Sequence, residues 1–179
     1  MNKYPYTIKE YSIAQCAYLA GIVDGEGSIY IGAFSSNPKT GTPHYQTNIE
    51  VNNTDKGLIE WLVNVFGGRN HFYTPKQTPK NSRRPIYRWV ATGERVTHLC
   101  EIMMPYLVIK RRQAEIMLEM RKTFKHTGAY IGHQGTPTVS KEILEIRKIL
   151  EQEMRSLHCR NYHNKHLPLV AMPLLLEKV

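Results

Sequence analysis

Long apolar runs are missing from these 179 residues. The longest, Leu167–Leu176, is broken by Pro168 and Pro173 and falls short of the roughly 18 residues that a membrane span needs. Met1–Tyr11 has no apolar stretch of the kind a secretory signal carries. Cysteine is scarce: Cys16, Cys100 and Cys159 are widely spaced, unpaired in number and free of any C-x-x-C pattern. They read as reduced thiols, which sets the expectation of a cytoplasmic or organelle-interior protein that is not secreted. Tandem repeats and low-complexity tracts are absent. With 41% hydrophobic and 22% charged residues the composition is that of an ordinary folded domain.

Acidic residues are the scarcer charge, 15 against 24 Lys and Arg, and the imbalance is local. Residues 1–68 carry a net −2, residues 69–125 a net +9 and residues 126–179 a net +2. A positive field gathered into the middle third points to a polyanionic partner, nucleic acid or an anionic membrane surface. The membrane option lacks a basic amphipathic helix with Trp or Phe on its other face.

Ser12-Ile-Ala-Gln15 has the spacing of a capping box, and the helix it starts runs through Leu19, Ile22 and Val23 to stop at Asp24-Gly25-Glu26-Gly27. Alternation over 28–34 and 44–52, around the turn residues 37–41, predicts a hairpin. Thr54-Asp55 caps a second helix that ends at Gly67-Gly68. A second hairpin is expected from 70–74 and 86–91, joined by a basic loop over 75–85. Helices over 94–103 and 110–124 follow, and Ser140 caps a last helix to about residue 157 with Ile143, Ile146, Ile149 and Leu150 on its buried stripe. The order defines an α+β chain with one antiparallel sheet.

Two features of the first helix are unusual. Ala17, Gly21 and Gly25 recur every fourth residue, leaving one stripe without side-chain bulk. Glycine inside a helix costs about 1 kcal/mol relative to alanine, a penalty that close approach of another backbone offsets. That backbone belongs either to a second helix or to the chain's own sheet. Asp24 and Glu26 sit at the helix C-terminus, where the macrodipole is already negative, and no basic residue follows until Lys39. A divalent cation would reverse that repulsion; a helix-to-strand turn would explain the same residues without one.

Taken as a unit, Leu19-Ala20-Gly21-Ile22-Val23-Asp24-Gly25-Glu26-Gly27 closely resembles the LAGLIDADG motif of homing endonucleases. The likeness extends to Val51-Asn52-Asn53-Thr54-Asp55 and to Pro105-Tyr106-Leu107-Val108-Ile109-Lys110-Arg111-Arg112-Gln113-Ala114, and covers about residues 12–124. The resemblance implies an αββαββα homing-endonuclease fold whose sheet forms a DNA-binding saddle, with an extra C-terminal helix. The endonuclease domain would occupy residues 1–157, and 158–179 a tail. Glu26 takes the place of the metal-binding acid with the Gly25 carbonyl beside it, and Asp24 caps a helix end. Asn53 stands near the attacking water, and Lys110 matches the basic residue at the scissile phosphate. Mg²⁺ is the implied cofactor, with Ca²⁺ supporting binding without cleavage.

Only one such motif is present. The resemblance therefore implies a homodimer packed through Ala17, Gly21 and Gly25, reading a long, nearly palindromic duplex and leaving 3′ overhangs. Strand alternation gives the DNA-facing set: Ser28, Tyr30, Gly32 and Ser36 in the first strand, and His44, Gln46, Asn48 and Glu50 in the second. Arg69, Arg84 and Arg88 suit guanine or phosphate, while Lys76, Lys80 and Arg83 in the loop suit the DNA backbone. Arg111 and Arg112 are phosphate clamps or ordinary surface charge. His158, Cys159, His163 and His166 offer zinc-ligand types without finger-like spacing, so a basic tail is the expectation. A start at Met1 suggests an intron-encoded endonuclease acting in intron mobility. The alternatives are an RNA maturase, with intron RNA as partner, or a DNA-binding protein that does not cut.

Overall fold

The computed structural model describes residues 10–34, 43–73, 85–125 and 139–158. The predicted capping box is formed: Ser12 Oγ accepts from the Gln15 N–H at 3.2 Å, and the Gln15 side chain accepts from the Ser12 N–H at 2.9 Å. The helix it opens, α1 (Ile13–Glu26), runs through Asp24-Gly25-Glu26, where a turn was the alternative. β1 (Gly27–Phe34) leaves it without a loop, and β2 (His44–Asn53) returns antiparallel. This direct junction explains Gly27. A Cβ there would lie 2.7 Å from Val23 Cα and 2.9 Å from Val23 O, both backbone atoms that cannot swing aside. Gly27→Ala is expected to lower stability by about 1–3 kcal/mol, the usual cost of overpacking, as a fall in the urea midpoint.

Asp55 caps α2 (Lys56–Phe66) by accepting from the Leu58 N–H at 2.9 Å. Gly67 and Gly68 end it at φ +68° and +99°, conformations that favour glycine. The exit is fixed by Trp89 Nε1, which donates to Gly67 O at 2.6 Å, and by Arg95 Nη1, which donates to Phe66 O at 2.7 Å. β3 (Arg69–Tyr73) and β4 (Ile86–Thr92) form the second hairpin. The sheet order β1-β2-β4-β3 places the first strands of each hairpin at the edges.

Three helices complete the chain: α3 (Glu94–Met103), α4 (Arg111–Lys125) and α5 (Lys141–His158). One sheet face is covered by helices. Ile29, Ile49, Val51, Trp89 and Ala91 are fully buried there, against Leu19 and Val23 of α1, Ile59 and Leu62 of α2 and Met103 of α3. The opposite face carries Ser28, Tyr30, Gly32, Gln46, Glu50 and Arg88 and has no helix against it among the described residues. No described helix is long and apolar enough to cross a membrane.

The last helix differs from expectation. Its buried stripe is Ile143, Ile146, Arg147, Leu150, Glu151 and Met154, while Ile149 is 37% exposed. Arg147 takes a place on that stripe. Its guanidinium donates to Thr123 Oγ1 at 2.9 Å and to Thr123 O at 3.0 Å, and stacks over the Phe124 ring at 4.4 Å. A long aliphatic stem with a hydrogen-bonded, ring-stacked head fills a core position that a polar label does not advertise.

Candidate active site

The C-terminal end of α1 collects three of the residues singled out from sequence. The Glu26 carboxylate is exposed, one residue before the strand begins. Asn53, the last residue of β2, donates from Nδ2 to Glu26 Oε2 at 2.5 Å. Its amide orientation is set from the other side, because the Asp55 N–H donates to Asn53 Oδ1 at 2.8 Å. Asn53 is thus a bridge between the end of α1 and the cap of α2. Lys110 reaches the same end of α1, donating from Nζ to the Asp24 carbonyl at 2.5 Å. Burial pushes the Lys110 pKa below its ordinary value, with the Asp24 carboxylate opposing the shift.

Asp24 has a different role from that of an unpaired acid. Its carboxylate accepts three successive backbone N–H groups: Val108 at 2.7 Å, Ile109 at 3.2 Å and Lys110 at 2.9 Å. It therefore caps the N-terminal end of α4, where dipole and orphan N–H groups favour a carboxylate, instead of its own helix's C-terminus. The repulsion expected at the end of α1 is relieved by a partner more than 80 residues away in sequence.

The small-residue stripe does not pack on the chain's own sheet. A Cβ at Gly21 or Gly25 would meet nothing within 4 Å. A groove runs along this side of α1, lined by Ala17, Gly21, Ile22, Gly25, Glu26, Asn53 and Leu58. Tyr18 borders it, 54% exposed and edge-on to Trp61 at 5.2 Å. The donors at its end are hard oxygens, the Glu26 carboxylate and the carbonyl of exposed Gly25, which suit Mg²⁺ or Ca²⁺. Among the described residues no three His, Cys, Asp or Glu side chains gather closely enough to hold an ion.

On the uncovered sheet face the register sets Ser28 against Glu50, Tyr30 against Asn48 and Gly32 against Gln46. His44 and Gln46 are exposed, but Asn48 is only 5% exposed, closed over between its cross-strand neighbours Tyr30 and Thr92. The expectation of four consecutive open positions on β2 is corrected accordingly. Two exposed residues on this face escaped the sequence reading: Asn52 and His71, which both stand opposite Arg88. Asn52 continues the parity of His44, Gln46, Asn48 and Glu50 and so was within reach of alternation, whereas His71 sits in a five-residue strand whose open face only the pairing with β4 reveals. Arg69 and Arg88 are exposed on the same face. Ser36, Lys76, Lys80, Arg83 and Arg84 lie outside the described residues, as do Cys159, His163 and His166.

The α4 arginines differ in how far they are engaged within the fold. Arg112 donates to Glu153 Oε1 at 2.9 Å and to Glu115 Oε2 at 3.2 Å, with Glu119 at 3.4 Å, tying α4 to α5. Of the two readings left open for Arg112, this geometry favours a charge used within the fold, since three carboxylates stand around it. Arg111 is 58% exposed and stands 3.6 Å from Glu115. Arg121 pairs with Glu94 and with Thr97 of α3. Arg112 and Arg121 therefore lock helices together.

A four-stranded antiparallel sheet with helices on one face, and an acid, an amide and a lysine at the end of a helix bearing an open glycine stripe, define the class of fold and site. Residues 19–121 match the family model of the LAGLIDADG endonucleases, more than half of the 179 residues, and the chain belongs to that family of DNA-cleaving hydrolases. No protein with a curated description matches the sequence. Among solved structures, the chain is similar to the homing endonuclease I-CvuI in complex with its target in the presence of Ca (TM-score 0.63, 18% identity, 81% of this chain and 82% of that one). It is similar over nearly the whole of both chains to the homing endonuclease I-TnaI (TM-score 0.58, 18% identity, 95% and 99%). It also matches I-SmaMI bound to cleaved DNA (TM-score 0.61, 16% identity), but there 85% of this chain covers 47% of the other. These likenesses show the shared fold.

Proposed function

We propose that two copies of this chain pair through the Ala17/Gly21/Gly25 stripe and act as a sequence-specific double-strand DNA endonuclease. The observation that carries this reading is the open space above Gly21 and Gly25 on the very helix whose end gathers Glu26, Asn53 and Lys110. A second α1 seated there brings a second Glu26 and Gly25 beside the first. Supporting it, the chain spans the whole of I-TnaI but under half of I-SmaMI, as one unit of a two-unit enzyme would. I-CvuI complexes with DNA in the presence of Ca or Mg are in keeping with a divalent metal.

Glu26 and the Gly25 carbonyl would hold the metal, with Asn53 fixing the carboxylate. Bound there, Mg²⁺ supplies a polarised phosphoryl oxygen and an acidified water. Lys110, charged and held at the helix end, stabilises negative charge growing on the phosphoryl group. The uncovered sheet face meets the major groove, which admits a strand ribbon and displays a distinct pattern for each base pair. The product is a 3′ overhang at a nearly palindromic site, and the biological setting is intron mobility inside a reducing compartment.

The test is incubation with a partly randomised duplex library and Mg²⁺, followed by sequencing of the cleaved ends. A paired, two-fold-related cleavage motif is expected. If every duplex stays intact while a folded intron RNA is bound, the maturase reading replaces this one. Light scattering is expected to give a dimer. Gly21→Leu, which fills the open stripe without touching the protomer's own core, is expected to give a monomer that no longer cuts both strands.

A further inference from the structure

An acid stands near the middle of the sheet face that the proposed function turns toward DNA. Glu50, on β2, has only 15% of its side chain exposed. Its Oε1 accepts from the Tyr30 hydroxyl of β1 at 2.6 Å, and its Oε2 lies 3.7 Å from Nη1 of Arg88 on β4. The register explains the approach: Glu50 sits directly between Ser28 and Val90, so Tyr30 and Arg88 reach it diagonally from the strands on either side. Burial and the bond to Glu50 push the Tyr30 hydroxyl up to about 12, so it remains a donor at any physiological pH.

A surface ion pair adds little stability, so what this one does depends on where it lies. Arg88 is 45% exposed and therefore projects beyond the carboxylate, with Asn52 and His71 beside it across the ladder. A carboxylate beside a guanidinium offsets part of its charge, which weakens its pull on a charged phosphate more than its hydrogen bonds to the neutral acceptors of a base. The directional N–H groups not turned to Glu50 stay available, and those are what the O6 and N7 acceptors of guanine recognise. An acid here weakens backbone affinity and leaves base readout in relief.

We propose that Glu50, anchored by the Tyr30 hydroxyl, is a positioning residue that aims Arg88 at a guanine in the major groove and keeps it off the phosphates. This assignment rests on the reading of the uncovered face as the DNA-binding face.

The experiment selects bound duplexes from a randomised library without Mg²⁺, using wild type, Glu50→Gln, Tyr30→Phe and Arg88→Ala, and measures the salt dependence of binding for each. Thermal melts establish that each variant is folded. Wild type is expected to select guanine at one position in each half-site. Arg88→Ala and Glu50→Gln should each lose that preference by about tenfold. Glu50→Gln should steepen the log–log salt slope by about 0.9, one added phosphate contact, whereas Arg88→Ala should not. Tyr30→Phe should move in the direction of Glu50→Gln. A Glu50→Gln protein with wild-type base preference and salt slope overturns the assignment, as does an Arg88→Ala protein that selects an unchanged motif. Wild type that selects no motif overturns the DNA-binding reading itself and this assignment with it.

Discussion

Glu26→Gln is expected to bind its duplex as wild type does and to cut it about 10³-fold more slowly. The substitution keeps the shape and an acceptor for the Asn53 Nδ2 donor, so the local fold is preserved. What it removes is the negative charge that, on the proposed function, holds a divalent cation at the end of α1. Several kcal/mol of charge stabilisation at a phosphoryl group disappear with the ion, and each 1.4 kcal/mol or so is a factor of ten in rate. Binding has other sources, the polar side chains and arginines of the uncovered sheet face, which lie on the far side of the strands from the core. Removing one carboxylate next to DNA should, if anything, tighten that binding. The measurement is single-turnover cleavage in Mg²⁺ beside equilibrium binding in Ca²⁺. Cleavage within tenfold of wild type would sink the role given to Glu26.

The elements were legible in the sequence because their signals are local. Ser12 and Gln15, Asp55, and Gly67-Gly68 mark helix ends within a turn of themselves, and each makes the hydrogen bond its spacing predicts. The glycine stripe was legible as a surface that needs a neighbour, but only the structure shows that the chain's own sheet is not that neighbour. What stayed hidden depends on contacts between distant segments. Asp24 looked like an unpaired acid because its three N–H partners lie in residues 108–110, and Arg112 looked free because Glu153 belongs to a different helix. Asn48 read as an outward strand residue by parity, yet a face that is open as a whole still closes over the position between a tyrosine and a threonine. Alternation tells which face a residue takes. It does not tell how much of that face its neighbours cover.

Asp24→Ala is expected to cost both stability and catalysis, and the two losses have separable causes. Three N–H groups in the turn leading into α4 lose their acceptor at once, which should lower stability by about 1–3 kcal/mol. The same bonds pin residues 108–110 to the end of α1, so Lys110 loses the anchor that, on the proposed function, places its Nζ beside the scissile phosphate. A shift of about 1 Å in such a group costs on the order of 10²-fold in rate. A fall in stability alone would not distinguish positioning from scaffolding, since any lost cap lowers the melting temperature. A double-mutant cycle does. If Asp24 acts through Lys110, then once Lys110→Ala has removed the ammonium, adding Asp24→Ala should slow cleavage little further, although the double variant still loses the full increment of stability. If instead the two rate losses multiply, measured well below the melting temperature of every variant, then Asp24 serves the reaction by a route that does not pass through Lys110.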